Sequence, residues 1–279
     1  MTAQDKLAAL RHKSLERDDE SDPGGRIYRD ITTGEIFHSV TRILSATMPE
    51  PDKKALERWQ AQPGSIETRD QAAYRGTKAH DHAEYVLKTA QRLVRSTANK
   101  RNVWKVGEDG LYRAPSPITK WAIEKAIQGA PSVTWSASGY ARGLRGFILD
   151  RVTAIHAIEF FGYHPGGFAG ACDALIDIDG KGPYICDWKT TGKSIHKSNE
   201  SQLYNYRHQT GAYALMLKNL TGIQALGGAV VVARRSGAPT VELLDQNALI
   251  EAQESFLERC NGYFDEIYLE MLRNPQKGS

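Results

Sequence analysis

The chain is short of residues that could cross-link it. Its 279 residues include only three cysteines, Cys172, Cys186 and Cys260. The count is odd, the spacings are wide, and no Cys-x-x-Cys pair occurs. That argues against a disulfide framework and against a cysteine-held zinc or iron–sulfur site. Long apolar runs are missing too. No stretch reaches the ~18 consecutive apolar residues of a membrane-spanning helix, so no membrane association is expected. The amino-terminal MTAQDKLAALRHKSLERDDESDPGG has no apolar secretory stretch. It carries Asp18, Asp19, Glu20 and Asp22, whereas organelle transit peptides are poor in acids. A reducing, cytoplasmic location is therefore the expectation. Charge of one sign is also lacking. Lys+Arg 36 against Asp+Glu 33 leaves +3, too little for a polybasic protein. Gly 25 and Pro 11 are too few for low complexity. What remains is an ordinary globular composition, 41% hydrophobic and 25% charged. At this length folding buries roughly three quarters of the unfolded surface, enough for a core without staples.

The hydrophobic pattern predicts a single α/β domain. Residues 3–17 read as a helix, and 18–25 as a flexible acidic segment. RIYRDI-TTG-EIFHSV, 26–40, alternates and turns at Gly34, as a β-hairpin does. Helical patterns follow up to about Met48, over 52–62, from about 67 to 95, and over 115–129 and 136–151, with a loop at 99–114. From 153 the period changes. Three strands, 153–162, 167–179 and 182–191, are separated by strong turn signals and predict an antiparallel meander. A helix over 202–219, strands 227–235 and 239–244, and a terminal helix 246–273 complete the order. The fold expected is a central mixed sheet with an antiparallel meander flanked by helices. It has an N-terminal helical region, 1–25, and a main domain over 26–279. That domain divides into a helical portion about 39–150, a core about 151–245 and the last helix.

Three groups of residues carry chemistry. Asp173 lies mid-strand, and Asp187 and Lys189, two apart on the next strand, share a face. A strand, a tight turn and the return fit between the aspartates, so pairing can bring two carboxylates and an ammonium to one spot. Neighbouring buried carboxylates repel, and a hard divalent cation relieves that conflict. Such an arrangement suits phosphodiester hydrolysis. A surface ion pair across two strands is the plainer alternative, but Ala171, Ala174, Ile176, Tyr184 and Ile185 make these strands apolar. In GTKAHDHAE, 76–84, His80 and Glu84 fall on or beside the apolar stripe centred on Leu87. His82 points the other way and reads as solvated. A hydrogen-bonded core histidine is the alternative for His80. On the helix after the Lys189 strand, Gln209 and Tyr213 face the sheet. Gln209 can hold Lys189 or a phosphate, and Tyr213 can do either or stack on a base. An amphipathic helix with a polar edge would look the same.

In order, Gly76-x-x-x-His80, Gly170-x-x-Asp173, Asp187-x-Lys189 and Gln209-x-x-x-Tyr213 resemble the RecB-type branch of the PD-(D/E)xK nuclease superfamily. HSVTRILSATMPEPDKKALERW, 38–59, is also similar to the front of the mitochondrial genome maintenance exonuclease family and its phage and bacterial relatives. The resemblance covers about residues 38–215. It implies a restriction-endonuclease-like core and Mg²⁺ or Mn²⁺ held by His80, Asp173, Asp187 and the Trp188 backbone carbonyl. Glu159 matches an acidic position upstream in this branch. Lys189 is implied as catalytic together with the two aspartates, Gln209 and Tyr213. Cys172 stands where the superfamily's name has proline, which leaves the carboxylate in place. The cysteine quartet of iron–sulfur relatives is absent, so no such cluster is implied.

From Tyr85 to Gly107 six cations, among them Lys88, Arg92, Arg95 and Arg101, meet no acid, and Trp104 is interleaved for base stacking. Lys193, Lys197 and Arg207 flank the site further on. These are the candidate DNA-binding residues, although a solvated helix face would read alike. The expectation is a metal-dependent DNA exonuclease preferring single-stranded or frayed ends, acting in replication, recombination or repair. An endonuclease of the same fold and a non-catalytic DNA-binding module are the alternatives.

Overall fold

The computed structural model describes residues 3–9, 15–20, 22, 25–192 and 200–273. In chain order the elements are α1 (Ala3–Ala9), β1 (Leu15–Asp18), β2 (Ile27–Asp30), β3 (Ile36–Ser39), α2 (Val40–Ala46), α3 (Glu50–Gln60) and α4 (Ser65–Arg101). Then come β4 (Lys105–Val106), β5 (Tyr112–Arg113), α5 (Ser116–Gln128), α6 (Trp135–Arg151), β6 (Val152–His164), β7 (Phe168–Ile178) and β8 (Lys181–Thr191). The chain ends with α7 (Glu200–Thr221), β9 (Gly227–Arg234), β10 (Thr240–Leu244) and α8 (Gln246–Arg273).

β7 is the spine of a mixed sheet. β6 pairs with it antiparallel along one edge, from His164↔Phe168 to Val152↔Ile178. The opposite edge is divided. β3 takes its start in parallel, at Ser39↔Ala169. β8 takes it antiparallel from Ala174↔Cys186 onward. Residues 170–173 lie between these two pairings, so the sheet forks there. Past the fork β8 keeps only β9, in parallel from Asp187↔Val230 to Thr191↔Arg234. β10 closes that side and the β1–β2 pair extends the other.

Two apolar layers sandwich the sheet. On one side Val86 and Leu87 of α4, Ile123 of α5 and Leu144 of α6 pack with Trp188 and Val231. On the other, Leu217 of α7 and Phe256 of α8 pack with Phe160, Phe168 and Leu175. Burying each such side chain contributes about 1.5–3 kcal/mol. The continuous apolar β9 is buried on both faces, as its sequence predicts. Among the described residues no helix is long and apolar enough to cross a membrane.

Two local expectations are corrected. Residues 15–18 are a strand rather than the end of a helix, paired from Leu15↔Asp30 to Asp18↔Ile27. Leu15 joins Tyr28 and Phe37 in a small third core. Strand pairing with this burial overrides helix propensity. The long helix also runs on to Arg101, because Val94 and Ala98 keep one face buried until Asn102, at φ 51, ends it. The expected loop at 99–114 therefore holds the helix end and a small ribbon, Lys105↔Arg113 and Val106↔Tyr112.

Candidate active site

The fork in the sheet gathers the polar residues. The register that pairs Ala174 with Cys186 sets Asp173 opposite Asp187 at the branch point. Where β8 leaves β7, the Trp188 amide donates to Asp173 Oδ2 at 2.6 Å, so the carboxylate takes over an N–H that the ladder releases. The pairs Ile158↔Ala174 and Phe160↔Cys172 place Glu159 of β6 across from Asp173 on the other side. Its backbone sits at φ 48, a left-handed conformation costing on the order of 1–2 kcal/mol for a side-chain-bearing residue. Gly76 lets α4 approach β8: a Cβ there would lie 3.0 Å from Thr190 Oγ1. One turn later His80 Nδ1 stands 3.5 Å from Asp173 Oδ1. Gly170 does the same for α7, since a Cβ would come within 2.8 Å of the Tyr213 ring. These two close approaches give the motif glycines a physical purpose.

Lys189 Nζ reaches Asp187 Oδ2 at 2.7 Å and donates to Gln209 Oε1 at 2.9 Å. Gln209 Nε2 in turn donates to the Tyr213 hydroxyl at 2.6 Å. The ammonium also lies 5.0 Å from the centre of the Tyr206 ring. Of the two roles open to Gln209, the one realised is holding Lys189.

The electrostatics are unbalanced. Asp187 is 2% exposed. Burial, and the Asp173 charge beside it, push its pKa up to about 6 despite Lys189. Burial, then the charges of Asp173 and Glu84, push Glu159 up to about 7. Burial lowers the Lys189 pKa, but Asp187 and Asp173 outweigh it and the net shift is upward. Lys189 is thus a firmly held cation, suited to stabilising charge rather than to accepting a proton. Burial likewise lowers His80, and Asp173 more than restores it.

Asp173, Asp187, Lys189, His80, Glu159, Gln209 and Tyr213 all line one cavity of about 220 Å³. Trp188 contributes backbone between the two β8 residues, and its ring is buried against Phe147 at 5.9 Å. Among the described residues no three His, Cys, Asp or Glu side chains converge closely enough to cage an ion alone. The donor set nonetheless fits a hard cation. Asp187, buried opposite Asp173 with its pKa raised, seeks positive charge, and Mg²⁺ needs only one or two carboxylates, completing its shell with water and phosphate oxygens. Cys172 is fully buried, and burial drives its thiol pKa well up, so it is inert beside the site.

The basic residues divide. Lys88, Arg92 and Arg101 are exposed along α4 and Arg95 is half-buried there. Lys88 pairs with Glu84, which thereby serves the helix surface rather than His80. Trp104 follows α4, its indole N–H donating to Asn99 Oδ1 at 2.6 Å. Arg207 does not line the cavity; its guanidinium is engaged by Glu242 of β10, with Nε 2.6 Å from Oε1. Lys193 and Lys197 lie outside the described residues. His82 is a correction: it is 7% exposed, not solvated. α4 is covered on more than one side, and burial with the nearby Arg145 charge lowers the His82 pKa.

Two cationic lining residues escaped the sequence reading. Arg17 of β1 and Arg26 join the cavity wall. Asp19 binds both, at 2.8 Å to Arg17 Nε and 2.5 Å to Arg26 Nε. Their only trace in the sequence was Arg26 at the start of the alternating hairpin. No curated protein matches the chain. Residues 8–275, however, match the family model described as the PD-(D/E)XK nuclease superfamily, and with the forked sheet and its carboxylates in place the chain belongs to that superfamily.

Proposed function

We propose that the protein is a divalent-metal-dependent DNA exonuclease that prefers single-stranded or frayed ends and works in replication, recombination or repair. The observation that carries the reading is the fork itself, with Asp173 opposite Asp187, Lys189 beside it, and Asp187 pushed up to about 6 by burial first. The residues that would hold Mg²⁺ or Mn²⁺ are Asp173, Asp187, His80, the Trp188 carbonyl and Glu159. A metal held there would supply polarisation of the scissile phosphate and a lowered pKa for the attacking water.

The chain's own groups do the rest. Lys189, kept cationic by the aspartates and aimed by Gln209, stabilises charge gathering on the phosphate. Tyr213 fixes Gln209 from behind. Arg17 and Arg26 bring two guanidinium groups to the same wall, where they suit phosphate oxygens. Lys88, Arg92, Arg95 and Arg101 run along α4 away from the site and offer a strand a cationic edge. Lys193, Lys197 and Arg207 remain a second candidate set for DNA, weakened at Arg207 by its pairing with Glu242.

The test uses linear single strands labelled at either end, with Mg²⁺, beside the same sequence as a closed circle. Stepwise loss from linear ends with an intact circle is the expected result. Nicking of the circle would make the protein an endonuclease of the same fold. Binding without cleavage under Mg²⁺ or Mn²⁺ would leave only a DNA-binding module.

A further inference from the structure

We propose that the far end of the α4 groove is a pocket for one nucleotide unit, its base against Trp104 and its phosphate on Arg95. Three cavities adjoin along this face. The catalytic cavity shares Glu159 with a second of about 590 Å³, which also meets Lys88 and Arg92. The second shares Gln91 and Arg95 with a third of about 380 Å³. The third is lined by Trp104, Tyr112, Asn99 and Thr119 as well as Arg95. From His80 to Asn99 the helix advances ~28 Å at ~1.5 Å per residue. The pocket is thus separate from the catalytic carboxylates, and the second cavity adjoins both.

Its lining has nucleotide chemistry. The Trp104 and Tyr112 rings meet edge to face, centroids 6.2 Å apart at 73°. That contact and the bond to Asn99 hold the indole in one orientation, as a stacking platform requires. Arg95 is half-buried, and among the described residues it has no hydrogen-bond or ion-pair partner. Arg113, Arg151 and Arg259, by contrast, are each engaged by acceptors in the protein. A half-buried cation without an anion suits a phosphate. The Thr119 hydroxyl, on a residue 1% exposed, also lacks a partner among the described residues. It offers a donor and an acceptor to a ligand edge. Asp5 on α1 also lines the cavity.

The assignment of a DNA strand as the source of that unit rests on the nuclease reading, whereas the pocket's chemistry does not. The experiment uses the full chain carrying Asp187→Asn, so that bound strands survive. Affinity is measured for a fluorescent 12-mer oligothymidylate, long enough to span the groove even at ~3.4 Å per stacked nucleotide. It is measured separately for thymidine monophosphate. Trp104→Ala and Arg95→Gln are each added to that background. A loss of about tenfold or more in 12-mer affinity for both, largely restored by Trp104→Phe, supports the pocket with the strand as its source. Monophosphate binding that both variants weaken, with an unaffected 12-mer, supports the pocket with a free nucleotide as its source. Unchanged affinity for both ligands in Arg95→Gln, or in a folded Trp104→Ala, overturns it. Cleavage of end-labelled strands by the unsubstituted chain is scored in parallel. Absent cleavage with a working pocket defeats the nuclease reading alone, and cleavage with an inert pocket defeats this one alone.

Discussion

β7 carries two aspartates four residues apart, and the protein treats them in opposite ways. Asp177 sits in a satisfied cluster. His156 Nε2 lies 2.7 Å from its Oδ1, and Arg113 Nε donates to its Oδ2 at 2.5 Å while also binding Asp109. Burial raises the Asp177 pKa, but His156 and Arg113 together bring it below the usual carboxylate value. Asp173 sits in the fork between Asp187 and Glu159, and in those two neighbours burial, with the Asp173 charge beside them, wins: they rise to about 6 and about 7. One cluster is neutralised from within, whereas the other is left to be completed from outside. Buried charges in a structural role are paired. Carboxyl groups with raised pKa values in a cleft point to a function.

The sharpest way to break this comparison is to remove one carboxylate from each cluster. Asp187→Asn should cut cleavage of a labelled strand at least a hundredfold and leave metal-free thermal stability at pH 8 unchanged or higher. Residual activity above about a tenth would put the metal elsewhere. Asp177→Asn should do the reverse, costing about 2 kcal/mol in denaturant unfolding by removing the buried charge that Arg113 and His156 share, with kcat retained at low temperature. Equal activity losses would erase the distinction between the clusters.

The two histidines of α4 sharpen it further. His80→Ala should weaken the apparent affinity for Mg²⁺ about tenfold in a metal titration of cleavage, with little loss of DNA binding. His82→Ala should lower stability by about 1 kcal/mol through lost packing and leave the metal titration in place. Matching metal titrations for the two variants would mean that His80 is not a ligand.

The smallest effect is on pH. A carboxyl whose folded pKa is raised holds its proton more tightly when folded, so folding gains least once it is ionised. The metal-free protein should therefore lose stability as pH rises from about 4 towards about 7, the window of Asp187 and Glu159. Asp177, with its lowered pKa, contributes stability above the ordinary carboxylate pKa and loses it only as pH falls through its folded value. Added Mg²⁺ should raise the Tm by more at pH 7.5 than at pH 5.5 in a thermal melt. Asp187→Asn should remove most of that difference.

The sequence by itself determined the local parts. Alternation and turn signals marked the β2–β3 hairpin and the β6–β7–β8 meander. The spacing of Asp173, Asp187 and Lys189 gave a shared spot because side-chain period and turn length are local rules. The glycine of each motif was visible too, but not the reason for it, since Thr190 meets Gly76 only across the packed helix and sheet. The tertiary structure alone decided the rest. The fork depends on Ser39 meeting Ala169, far apart in the chain, while Ala174 meets Cys186. Arg17 reached the cavity because Leu15–Asp18 found a strand partner and a core, which outweighed its helical pattern. His82 was buried by neighbouring elements that its own helical wheel does not contain. Glu242 engaged Arg207 from β10, another element altogether. Periodicity shows which face of an element is apolar, but long-range pairing decides what that face meets, and the imbalance of charge at Asp187 exists only once that meeting has occurred.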